Sequence, residues 1–263
     1  MSSSSIEGGP VLVEDIGAVR LITLHRPHVR NAIDLPLRIA LAEAIESAMG
    51  DADVRAVVIT GAGGSFCSGG DISTMGPLSP DQARTRGQAA ARVVRAIWHG
   101  SKPVVAAVEG SAFGAGAALA LACDRVVAAR DSSFGTTFTA VGLAGDMGIF
   151  VSLPARIGTP AAKQLLMLPR RISGDEAGDL GLVDSVVDPT TALEAALADA
   201  NRLAQGPPLA LAVIKSQMGK PVRDRFDVLD DEVENHVGLW QSDDFIEGVA
   251  AFREKRPAQF RGR

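Results

Sequence analysis

Two kinds of apolar spacing alternate along most of the chain. Val11–Asp15 and Val19–Leu24 read as short strands separated by Ile16-Gly17-Ala18, a hairpin-like opening. From Leu35 to Met49 the apolar residues recur at helical spacing. Asp34 stands at the N-cap, Pro36 in the first turn, and Gly50 where a left-handed C-terminal residue is expected. Arg55–Thr60 has the unbroken apolar pattern of a buried strand and runs into Gly61–Asp71, which holds five glycines in eleven residues. Ser79-Pro80 opens a second helix that Gly100 ends. Pro103–Val108 is another buried strand, followed by the glycine-rich turn Gly110–Gly116 and an apolar helix to Cys123. Arg125–Ala129 starts a third strand–loop–helix unit. Past Pro189 the strand signals stop. Four helical patterns follow, over Thr191–Gln205, Leu209–Gly219, Asp224–Leu239 and Ser242–Lys255.

Composition narrows the class. The chain has 263 residues, 46% of them hydrophobic, enough for a large α/β core. Its formal net charge of −5 provides no basic field for nucleic acid or an anionic membrane surface. No uncharged run is long enough to span a bilayer, and Met1–Ser5 has neither the basic nor the apolar segment of an export signal. Cys67 and Cys123 lie far apart without metal or redox spacing, and the four histidines are scattered, so no metal site is expected and a cytoplasmic location fits. The motifs of other enzyme classes are missing. Phe66 stands where a dinucleotide fingerprint beginning at Gly61 needs its third glycine, and there is no nucleophile elbow, zincin motif or P-loop.

Phe66-Cys-Ser-Gly-Gly-Asp71 and Gly110-Ser-Ala-Phe-Gly-Ala-Gly116, each ending a buried strand, resemble the two signature segments of the crotonase (enoyl-CoA hydratase/isomerase) family. His25-Arg-Pro27, Asn31-Ala32, Lys102-Pro103, Gly181-Leu-Val183 and Phe252-Arg-Glu-Lys-Arg256 follow in family order over nearly the whole chain. The resemblance implies an α/β spiral of repeated ββα units across residues 11–200, after a disordered tail at 1–10. It also implies a helical C-terminal region, 201–263, that assembles a homotrimer or a hexamer built as a dimer of trimers. The implied ligand is an acyl-CoA thioester, with coenzyme A as part of the substrate and no separate cofactor.

The implied chemistry centres on an enolate. Chemistry at the α-carbon of a thioester needs two preorganised N–H donors aimed at the carbonyl oxygen, and the resemblance assigns these to Gly70 and Ala115. Alanine stands where the family usually has glycine; it keeps the N–H, and the hole survives provided the local φ is negative. The positions of the two hydratase glutamates hold Ala118 and Phe138. A hydratase must activate a water and deliver a proton, so the loss of both points away from ordinary hydration. Gly142-Leu-Ala-Gly-Asp146 resembles a stretch in which some family isomerases carry an aspartate, making Asp146 either a single acid/base or the N-cap of a helix over Met147–Ile157. Three functions stay open: an isomerase using Asp146, a hydratase with an atypical site, and a non-catalytic acyl-CoA binder. For coenzyme A and acyl contacts the resemblance points to Arg26, Ala32, Ser68, Gly70, Asp71, Ile72 and Phe138, with Phe252 and Lys255 reaching in from a neighbouring subunit. Lys255 is a phosphate partner or a solvated charge. Asp71, Glu109 and Asp124 read as braces, and Cys67 has no basic neighbour in sequence to make it a nucleophile.

Overall fold

The computed structural model describes residues 8–220 and 224–263. All but Gly8–Pro10 of the expected N-terminal tail therefore lies outside the described residues. Strands β1 (Val11–Ile16) and β2 (Val19–Leu24) form the antiparallel hairpin, closed at Gly17, where φ is 62°. Helix α1 (Leu35–Gly50) follows, its first turn capped by Asp34, which accepts the Leu37 N–H at 2.8 Å. Gly50 differs from expectation. It is the last helical residue, and the chain leaves through an extended Asp51 instead of a left-handed glycine. Asp51 makes this exit workable because its carboxylate accepts the Asp53 N–H at 3.0 Å and pairs with Arg20 at 2.9 Å.

The remaining elements repeat one plan. Strand β3 (Ala56–Gly61) precedes α2 (Pro80–Trp98), and β4 (Val104–Val108) with β5 (Ser111–Phe113) precedes α3 (Ala115–Ala122). In the same way β6 (Arg125–Ala129) and β7 (Ser133–Gly135) lead to α4 (Ile149–Met167). Strand β8 (Ile172–Ser173), α5 (Gly174–Asp179) and β9 (Ser185–Val187) complete the series. The large sheet has the order β1-β2-β3-β4-β6-β9, parallel after the opening hairpin, while β5, β7 and β8 make a small second sheet. A bridge between Cys67 and Ala112 continues the small sheet into the first glycine-rich segment. Each turn of the chain thus gives one strand to the large sheet, a short piece to the small one, and then a helix. This is the expected ββα spiral.

Both faces of the large sheet are covered, which is why its strands read as unbroken apolar runs. Val57 and Ile59 join a core with α1, α2 and α3, whereas Ala56 and Val58 face α6 (Ala192–Gln205). Helix α6 turns a stripe of Ala192, Ala196, Ala200 and Ala204 to the sheet; residues four apart share one face, and alanine allows close approach. The boundary expected after residue 200 therefore falls inside a helix that belongs to the sheet's core. Glu109 braces this junction, accepting the N–H groups of Ala192 at 2.8 Å and Thr190 at 3.2 Å. Asp124 braces another, accepting from Val104 N–H at 2.8 Å and Lys215 at 2.6 Å.

Helices α7 (Pro208–Met218), α8 (Arg225–Trp240) and α9 (Asp243–Glu254) end the chain close to the positions the pattern predicts. They bury little. Neither α7 nor α8 has a fully buried residue, and α8 leaves Leu229, Val233, Val237 and Trp240 exposed. Among the described residues no helix is long and apolar enough to cross a membrane.

Candidate active site

The two glycine-rich turns meet at van der Waals contact. Gly69 adopts φ 103°, and a side chain there would bring its Cβ within 2.8 Å of the Phe113 carbonyl oxygen and 3.9 Å of the Ala115 nitrogen. A Cβ on Gly116 would lie 2.3 Å from the Cys67 carbonyl oxygen. Glycine is required at both positions, at Gly69 for the backbone angle as well as the space. The result places the segment Cys67–Gly70 against the first turn of α3. Among the described residues neither Gly70 N–H nor Ala115 N–H donates a hydrogen bond, although Asp71 N–H next door bonds Ile33 O at 3.0 Å. Two idle donors on adjoining turns suit an oxyanion. Ala115 opens α3 with an ordinary negative φ, so its methyl group does not disturb the backbone there, and the helix dipole adds to the positive field.

The acid/base side has another character. Ala118 is buried in α3 and Phe138 is buried beside the second turn, its ring 3.8 Å from where a Cβ on Gly114 would lie. The two positions that the resemblance gives to the hydratase glutamates are therefore apolar and closed in. Asp146 is not a helix cap. Helix α4 begins at Ile149 behind a left-handed Gly148, with no side-chain cap, and the Asp146 carboxylate turns instead to α1. Its Oδ2 accepts from Arg38 Nη2 at 3.1 Å. The next residue, Met147, sits at φ 51°, a strained angle for a residue with a side chain, and is buried. Helix α4 then runs beyond the predicted Ile157, passing a non-helical Gly158 at φ 76°.

Arg38 is the residue that sequence reading missed. Its side chain is only 4% exposed, against 35% for Asp146. A signal existed, because Arg38, Ala42 and Ile45 share the buried stripe of α1, where an arginine is out of place without a partner. Arg38 Nη1 also donates to the Arg86 carbonyl oxygen of α2 at 3.0 Å. Asp146 Oδ1 is buried and unpartnered among the described residues. Burial raises the Asp146 carboxyl above its ordinary value, and the nearby Arg38 and Arg86 charges restrain that rise. Burial pushes the Cys67 thiol up to about 12, which fits an inert sulfhydryl.

The expected coenzyme A contacts divide in two. Arg26 donates to Ala32 O at 2.6 Å and pairs with Asp71 at 3.0 Å and Asp34 at 3.3 Å, so its guanidinium ties the entry loop to the first turn. Asp71 also accepts from Ser73 N–H at 3.1 Å and Ser73 Oγ at 2.6 Å, the bracing role expected of it. Ser68 is anchored through its N–H to Arg30 O at 2.9 Å and its Oγ to Val29 O at 3.2 Å. Ile72, by contrast, is exposed. Phe252 is 87% exposed on α9, followed by a left-handed Lys255. An apolar groove of about 580 Å³ runs among the C-terminal helices, lined by Leu209, Trp240, Phe245, Phe252 and Phe260; it contains neither Gly70 nor Asp146.

A parallel spiral with two glycine-rich turns closing on a common point is the architecture of an acyl-CoA enzyme. Residues 14–263 match the family model described as enoyl-CoA hydratase/isomerase, and the chain belongs to that family. It is 34% identical over 250 residues to the 1,2-epoxyphenylacetyl-CoA isomerase of Escherichia coli, covering 93% of this chain and 95% of that protein. It is 32% identical over 248 residues to the short-chain-enoyl-CoA hydratase of Clostridium acetobutylicum, covering 94% and 95%. The crystal structure of an enoyl-CoA hydratase from a Polaromonas species superposes with a TM-score of 0.91 at 35% identity, covering 95% of this chain and 99% of that one.

Proposed function

We propose that this enzyme moves a double bond within an enoyl-CoA thioester, with Asp146 as the single acid/base. One set of observations carries the reading: a half-buried carboxylate with one idle oxygen pairs with Arg38 of α1, the chain just before α1 bridges at Ile33 to Gly70, Gly70 and Ala115 both have idle N–H groups, and the positions the resemblance gives to the hydratase glutamates are apolar. The thioester oxygen accepts from Gly70 and Ala115 N–H. Asp146 Oδ1 removes a proton from one carbon of a 3-enoyl chain, the electron pair moves into a dienolate whose negative charge rests on that oxygen, and the proton returns at the carbon at the other end of the dienolate. No water is consumed, so one carboxylate suffices. Arg38 holds Oδ2 and so aims Oδ1. The nucleotide end lies toward Ser68, Ile72 and the Arg26-braced loop. The exposed apolar faces of α8 and α9 support a trimer in which Phe252 and Lys255 complete a neighbour's site.

Hydration is the second reading, favoured by the hydratase named among the relatives. Turnover of 2-enoyl, 3-enoyl and dienoyl thioesters, scored separately for double-bond movement and for hydration, decides between them. The expected result is conjugation of 3-enoyl-CoA with poor hydration of 2-enoyl-CoA. Efficient hydration would overturn the assignment, and tight binding without turnover of any thioester would make the protein a binder.

A further inference from the structure

Where α1, α2 and the loop before α4 meet, the Arg38 guanidinium pairs with the Asp146 carboxylate, and the charge of Arg86 on α2 acts on the same carboxylate. Arg38 spends Nη1 on the Arg86 carbonyl oxygen and Nη2 on Asp146. Its Nε is buried and unpartnered among the described residues, and so is Nη2 of Arg86. The other acidic groups around Arg38 do not redress the balance. Asp34 is committed to Arg26 at 3.3 Å and to the Leu37 N–H at 2.8 Å, and the Cys67 thiol stays neutral. Two positive charges therefore share one negative charge around the buried Arg38, whose side chain is 4% exposed. An idle buried donor is costly, more so on a charged group, and the planar fork of arginine matches the two oxygens of a carboxylate. The cluster is tied to the glycine-rich turn through the start of α1: Ile33 donates its N–H to Gly69 O at 2.7 Å and accepts from Asp71 N–H at 3.0 Å, bridging to Gly70, and Arg38 follows in the first turns of α1.

We propose that the acyl chain taken by this enzyme carries a second carboxylate, and that Arg38 and Arg86 receive it. This rests on the reading that the thioester oxygen binds at Gly70 and Ala115; a chain anchored there passes Asp146 on its way to the two arginines. The incoming carboxylate brings the local charge to zero and gives both idle donors an acceptor.

Saturated thioesters test this without requiring turnover. Glutaryl-CoA and adipyl-CoA are compared with valeryl-CoA and hexanoyl-CoA, their monocarboxylic counterparts of equal carbon count, by equilibrium binding to the full-length protein. The expected result is that at least one dicarboxylic thioester binds roughly tenfold to hundredfold tighter than its counterpart, the range for hydrogen bonds to a charged group. In Arg86→Met that preference should vanish. Equal or weaker binding of both dicarboxylic thioesters by the wild type overturns the proposal, as does a preference that survives in Arg86→Met. Because the wild-type comparison stands alone, a misfolded variant does not rescue the idea. The two readings also fail separately. Tight adipyl-CoA binding without isomerisation of any thioester removes the isomerase, whereas isomerisation of 3-hexenoyl-CoA without a dicarboxylate preference removes only the arginine receptor.

Discussion

One half of the candidate site is made of backbone and the other of side chains, and the two tolerate sequence change differently. On the turn side, the groups that matter are N–H donors carried by Gly70 and Ala115, positioned by close contacts at Gly69 and Gly116. The family's usual second glycine can become alanine there because the N–H and the negative φ both persist. On the proposed acid/base side the identity of each side chain would be the chemistry, and there Ala118 and Phe138 are apolar while Asp146 pairs with a buried Arg38. On the proposed function, a fixed enolate site with an exchangeable proton-transfer side would let one fold serve several reactions.

The largest expected effect falls on the side-chain half. Asp146→Asn keeps the size and shape but accepts no proton, so isomerisation of 3-enoyl-CoA should fall by roughly 10²–10⁴-fold while thioester affinity changes little. Retention of full activity would show that Asp146 only partners Arg38. Gly70→Pro attacks the backbone half by deleting one donor. Loss of a single oxyanion donor costs about 2.7–4 kcal/mol of transition-state stabilisation, so kcat should drop roughly 10²–10³-fold. Wild-type turnover in that variant would remove Gly70 from the site.

Sequence reading reached the backbone half more fully than the side-chain half, for a physical reason. Glycine-rich turns after buried strands are local patterns, and the helices around them carry local cues such as the Asp34 cap and the capping box at Ser79 and Gln82. Asp146 was found, but its setting was not, because its partner Arg38 lies 108 residues away and only the folded chain brings them together. The helical periodicity after Asp146 suggested a cap, yet the left-handed Met147 and Gly148 delay α4 to Ile149 and turn the carboxylate toward α1. The three-stranded second sheet was invisible for a related reason. Strands of two or three residues, such as β5, β7 and β8, are too short to show a period.

The pH dependence sharpens the comparison further, since only the side-chain half titrates in the useful range. Burial raises the Asp146 carboxyl, and Arg38 is the leading charge opposing that rise. The base must be ionised to work, so the acidic limb of kcat/KM should lie above the free aspartate value of about 3.9. Arg38→Met removes a positive charge that favours the ionised form and leaves the apolar surroundings, so the limb should move to higher pH. A pH–rate profile of 3-enoyl isomerisation in both proteins measures the displacement. An unmoved limb would mean that some other group titrates.

The smallest expected effect comes from Ala115→Gly, and it tests whether the second donor is a matter of backbone alone. The Ala115 methyl is buried at the start of α3, within the main core cluster. Its removal should cost stability through one lost apolar group, about 0.8 kcal/mol, plus up to about 1 kcal/mol for glycine in a helix, reduced because the residue lies in the first turn. The N–H is untouched. If the donor acts through backbone geometry fixed by the neighbouring turn, kcat should stay within a few-fold of wild type even as Tm falls by several degrees. The contrast with Gly70→Pro is the informative quantity, because one change removes a donor and the other removes only a side chain beside one. A loss of turnover in Ala115→Gly comparable to that in Gly70→Pro, with the fold intact by circular dichroism, would show that the methyl group itself holds the turn in its working shape. The two halves of the site would then be less different than their composition suggests.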